Sequence, residues 1–205
     1  MAVILRGEHR PSGWVGVISA GLVMFSVSAC GGDGAPTRSF DESDLPQLLR
    51  GNADSPTGTT LLAKQPMSIE DAATEELGAA KMEEIGFVTA EFAVFEELPK
   101  DGSVGVAVET VWLFEDADGA ARYMDVRRER LEADIAEDPG RDELADAGNF
   151  GDDALGLRDN GDPSEWYVWR IDNLVLSAGG DDRNGIEPKA FAEELHRRAV
   201  ALPKL

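Results

Sequence analysis

The sequence has one cysteine in 205 residues, and it stands at position 30. A single thiol forms no intrachain disulfide, so stability must come from the core. The two histidines are His9 and His196. A Cys/His zinc site needs four such ligands, so none is expected. Basic residues are scarce: 19 Lys and Arg stand against 40 Asp and Glu, a formal net charge of −21. Such a surface repels DNA, RNA and anionic headgroups, so no nucleic-acid partner is expected. The G-x-x-x-x-G-K of phosphate-binding loops is absent. The uncharged run at 13–29 is shorter than the about 20 apolar residues of a spanning helix, and is rich in Gly, Ser and Ala.

What is present begins at the N-terminus. Arg6 and Arg10 precede the apolar run GWVGVISAGLVMFSVSA, which ends in small residues. Basic start, apolar stretch and small end describe a secretory signal peptide. The next four-residue word, Val27-Ser28-Ala29-Cys30, resembles the lipobox of bacterial lipoproteins. The resemblance implies a diacylglyceryl group on the Cys30 thiol and cleavage before Cys30. It also implies a membrane partner through that anchor and a place on the extracytoplasmic face of the cell membrane. An acylated Cys30 leaves no thiol nucleophile. Several acyl chains, at about 0.8 kcal/mol per buried CH₂, hold where one chain binds only reversibly. An ordinary secretory signal or an anchor helix with a buried cysteine is the alternative for these residues.

The expected organisation is a signal-peptide helix at 1–29, the lipidated Cys30 with a flexible tether at 30–44, and one α+β domain at 45–205. The tether, GGDGAPTRSFDESD, has almost nothing to bury. Fully extended, it reaches about 45–50 Å.

Within the domain a helical turn is expected near Leu45–Leu49, followed by coil. Ser68 and Asp71 form a capping box for a helix that buries Ile69, Ala73, Leu77 and Ala80 and stops near Gly86. FVTAEFAVF at 87–95 and VGVAVETVWLF at 104–114 alternate and should pair as a hairpin around the turn at 99–102. Asp116 or Asp118 caps a helix to about Ile135. Ala154–Leu157, EWYVWRI at 165–171 and LVLSA at 174–178 read as strands, the last two flanking a turn at Asp172-Asn173. Pro188 opens a final helix. The predicted architecture is an antiparallel sheet of about four to six strands with helices mainly on one face. The words FEDADGAARYM, GDDALGL and WRIDNLVLSA in this order resemble small actinobacterial lipoproteins of unassigned function, some of whose relatives have a PsbP- or Mog1-like fold or are extracellular sensor modules. That resemblance carries no site residues.

Catalytic signatures are poor. Ser103 sits in DGSVG, which lacks the first Gly of G-x-S-x-G. The base for a triad would be His196, which reads as a solvated residue near a helix C-terminus, where positive charge is favourable. EF-hand spacing fails around Gly119 and Gly185. The acidic clusters at 152–153, 159–162 and 181–182 read as turns and caps, with weak cation binding as the alternative. No cofactor is expected. Trp166, Tyr167 and Trp169 lie within four residues of one strand, with Trp166 on one face and the other two opposite. They make a candidate ligand patch if one face stays open, and plain packing otherwise. The expected function is a lipid-anchored binding or sensory module of the cell envelope, its ligand an unidentified protein or small molecule. A carboxylate-based envelope hydrolase or a purely structural envelope protein is the alternative.

Overall fold

In the computed structural model the chain divides into two units, Met1–Ala35 and Pro36–Leu205. The structure describes residues 39–56, 58–73, 77–97, 105–151, 153–161, 164–181 and 187–202. The described residues form strands β1 (Thr59–Met67), β2 (Phe87–Glu97), β3 (Val106–Phe114), β4 (Arg141–Glu143), β5 (Asp153–Asp159), β6 (Ser164–Ile171) and β7 (Leu174–Asp181). The helices are α1 (Leu45–Leu48), α2 (Ile69–Ala72), α3 (Ala79–Glu84), α4 (Ala117–Glu137) and α5 (Pro188–Ala201). Among the described residues no helix is long and apolar enough to cross a membrane.

The strands make one seven-stranded sheet in the order β1-β2-β3-β7-β6-β5-β4. Every pairing is antiparallel. Two meanders thus meet at the β3–β7 seam. The step from β3 to β4 must cross four interstrand spacings, about 19 Å. The 21 residues of α4 supply it with length to spare, about 31 Å, so the helix crosses at a slant.

The fold is the expected α+β class with two differences. The sheet has seven strands, because β1 and β4 were not foreseen. The helices also cover both faces. On one face, Leu45, Leu48 and Leu49 join Phe191 and Leu195 of α5 over Phe95, Val111, Trp169 and Leu176. On the other, Met82 of α3 and Tyr123 and Met124 of α4 pack over Ala90, Trp112, Val168 and Val175. The reason lies in the central strands. The first seven residues of β7 are all buried, apolar or small on both sides, and such a strand needs cover above and below.

Local signals mostly act as read. The Ser68 hydroxyl accepts from the Asp71 N–H at 3.2 Å. The Asp116 carboxylate caps α4 by accepting from the Gly119 N–H at 2.8 Å. Asp172 adopts φ +54°, the left-handed conformation its turn requires. The helix expected from Ile69 to Gly86 is instead two short helices, each burying one residue, Ala72 and Met82. Gly86 ends the second at φ +79°.

The domain starts earlier than predicted. Phe40 is buried, and Asn173 holds it from both sides. Its N–H donates to Asn173 Oδ1 at 2.8 Å, and its carbonyl accepts from Asn173 Nδ2 at 3.0 Å. Asp44 is buried as well. Residues 40–44, assigned to the tether, are therefore part of the folded body, because one aromatic side chain gave the segment something to bury.

Candidate functional site

Alternation along β6 sends Trp166 to the α4 side and Tyr167 and Trp169 to the α5 side. The two sides then differ in cover. Tyr167 and Trp169 are buried to 1% and 0% exposure. Phe150 packs on both, at 5.5 and 5.2 Å between ring centroids. The expected three-residue ligand patch is thus not formed: two of its members are core, since the C-terminal helix and the segment before β5 close that face. The Tyr167 hydroxyl donates to Glu165 Oε2 at 3.1 Å, and burial pushes its pKa far up.

Trp166 alone of the three remains at the surface, 38% exposed. It is seated on β7: a Cβ on Gly179 would lie 2.3 Å from a ring carbon of Trp166, so only glycine lets the indole settle there. Beside it lies a cleft between α4 and the sheet. Arg127 and Leu131 of the helix and Leu155, Leu157, Trp166 and Val168 of the sheet line it. Its volume is about 40 Å³. Neighbouring arginines of α4 are paired, Arg128 with Asp153 and Arg130 with Asp134 at 3.0 Å, while Arg158 pairs with Glu165 at 2.9 Å on the Tyr167 face of the sheet. Among the described residues Arg127 has no carboxylate partner, although the chain holds acid in twofold excess.

A second polar site is sealed. Glu109, in the middle of β3, is fully buried and Arg50 nearly so. Arg50 Nε donates to Glu109 Oε1 at 2.7 Å, and the Arg50 backbone N–H donates to Oε2 at 3.2 Å. The guanidinium also donates to the Phe191 carbonyl at 3.3 Å and stands 4.2 Å from the Phe191 ring centroid. Burial pushes the Glu109 pKa up, and Arg50 opposes the shift. The pair faces core rather than solvent, so it ties α1 to β3 and α5 and performs no acid–base chemistry on a ligand. Its signal in the sequence was a lone carboxylate inside an apolar strand, VAVETVWLF.

His196 is not the solvated residue that its place in the last helix predicts. It is half-buried, edge-on to Phe150 at 5.8 Å and tilted over Trp169 at 6.2 Å. Its Nδ1 is buried without a hydrogen-bond partner, as is Trp169 Nε1. Burial lowers its pKa, so it is a neutral ring near neutral pH and not the solvated cation expected at a helix end. The cation role falls to Arg197 and Arg198, which hold the Glu194 carboxyl down at about 2.

Of the acidic clusters, Asp153 and Asp159 are engaged by Arg128 and Arg141. Among the described residues no group of three or more His, Cys, Asp or Glu is placed to hold a metal. The signal peptide, Cys30, the turn at 99–102, Ser103, Asp152, Asp162 and Asp182 lie outside the described residues.

No protein-family model matches the chain, and the comparison with curated proteins found no match. Among solved structures it is similar to the extracellular domain of PknH from Mycobacterium tuberculosis, at 10% identity and a TM-score of 0.49, over 80% of this chain and 98% of that one. A likeness of that size assigns no function.

Proposed function

We propose that this protein is a lipid-anchored binding module on the extracytoplasmic face of the cell membrane. The word Val27-Ser28-Ala29-Cys30 behind a basic, apolar leader supports the anchor. By covalent length alone, the nine residues between Cys30 and Phe40 span at most about 35 Å. The observation that carries binding is the cleft beside Trp166. It offers an open aromatic ring, apolar walls and, in Arg127, a cation with no carboxylate partner among the described residues. The carboxylate of Asp153 is taken up by Arg128 of α4, which favours holding a ligand over turning one over.

Metabolic labelling with an alkyne analogue of palmitate tests the anchor. The wild-type chain should label and partition with membranes, and Cys30→Ala should do neither. Equal labelling of the two would remove the lipoprotein reading.

A further inference from the structure

We propose that the cleft between α4 and β6 binds the C-terminal residue of a partner peptide. A small branched apolar side chain enters the cleft and the terminal carboxylate lies on Arg127. This deepens the binding reading above and rests on it. Three observations carry it. The first is size: about 40 Å³ takes the end of one aliphatic side chain, against the several hundred Å³ of a drug-sized ligand site. A long acyl chain does not fit.

The second is lining. Leu131, Leu155, Leu157, Val168 and the Trp166 ring supply apolar wall, with few groups to bond the hydroxyls of a sugar. The Trp166 ring rests on β7 over Gly179, where a Cβ would meet it at 2.3 Å.

The third is charge. Arg127 is the only charged lining residue. Its neighbours on α4, Arg128 and Arg130, each hold a carboxylate of this chain already. A guanidinium left without one presents a planar fork that suits a carboxylate. An apolar side chain and a carboxylate carried on one Cα together describe a chain terminus.

The test is ligand-observed saturation-transfer NMR on the full chain in detergent micelles. The probes are N-acetyl-leucine, N-acetyl-leucinamide, acetate, and a Gly-rich pentapeptide ending in leucine as acid or amide. N-acetyl-leucine should bind with a dissociation constant on the order of 1 mM. Its amide and acetate should bind roughly fivefold to tenfold more weakly. The peptide acid should bind at least as tightly as N-acetyl-leucine. Arg127→Gln should weaken both acids to the level of the amides and leave the amides unchanged, and Arg127→Lys should restore part of the difference.

Equal binding of acid and amide, or acids indifferent to Arg127→Gln, would overturn the carboxylate assignment while leaving a binding cleft. A peptide acid weaker than N-acetyl-leucine would overturn the peptide assignment in favour of a free small acid. Absence of transfer to every probe, and to hexanoate and glucose besides, would overturn the binding reading itself.

Discussion

At the scale of single residues, two buried polar groups govern how this domain responds to change. Glu109 is the more consequential. Glu109→Gln leaves the Arg50 charge buried and unneutralised, and removing one partner of a buried pair costs about 3–5 kcal/mol. The double replacement Arg50→Met with Glu109→Leu should come near neutrality or gain stability, because both desolvation costs disappear. Urea unfolding of the two variants against the wild type reads both effects. His196 sets a pH response. Its folded pKa lies below the ordinary 6.5, so protons bind the unfolded chain better. The stability it contributes is complete above about pH 6.5 and falls as pH drops through that value toward the lowered folded pKa. Glu194, held at about 2 in the folded state, loses its contribution only below its ordinary 4.5, so the two windows separate. A urea midpoint that drops between pH 7.5 and 5.5, and drops less in His196→Gln, is the expected result. Both groups escaped a linear reading because the side chains packed against them come from distant parts of the chain. For Glu109 that is Arg50, and for His196 it is Phe150.

At the scale of elements, the segment Phe40–Arg50 is a strap fastened at each end. Asn173 binds the backbone of Phe40 on both sides and also donates to the Phe114 carbonyl at 2.9 Å. Arg50 fastens the other end through Glu109. Between them Lys64 of β1 donates to the Pro46 and Leu49 carbonyls, both at 2.8 Å. Asn173→Ala removes three buried hydrogen bonds, to the Phe40 N–H, the Phe40 carbonyl and the Phe114 carbonyl, and should loosen Phe40 at a cost of about 1–3 kcal/mol for each group that water cannot reach. Hydrogen exchange should then speed at residues 40–44 with α5 unaffected, and unchanged exchange there would contradict the fastening. The turn chemistry at Asp172-Asn173, the Ser68 and Asp116 caps and the Pro188 start were legible because each depends on neighbours within four residues. The strands β1 and β4 were not. TTLLAKQPM carries Pro66, and Arg141–Glu143 has no apolar residue at all. Both are edge strands, where pairing is defined by the partner strand and the outer side carries no ladder. A register shift between Leu61 and Ala63 and the shortness of β4 also keep those edges from recruiting further strands.

At the scale of the whole molecule, net charge and topology matter most. With −21 formal charges the folded chain repels itself, while its surface ion pairs are individually worth little. Raising salt from about 10 mM to about 1 M shortens the screening length from about 30 Å to about 3 Å. The melting temperature should therefore rise with salt; a fall would show that the ion-pair network outweighs the repulsion. By itself the sequence determined the α+β class, the central strands, the long helix that follows β3, the segregation of Trp166 from Tyr167 and Trp169, and the lipobox-like word that sets the anchor expectation. These are consequences of spacing and of contacts between near neighbours. Only the tertiary structure decided which face of β6 stayed open, that Glu109 had a partner 59 positions away, that helices cover both faces of the sheet, and that α4 leaves a cleft with Arg127 on its rim. Those outcomes depend on which distant elements reach a surface first and bury it, and pairwise burial over long separations leaves no local mark in the order of residues.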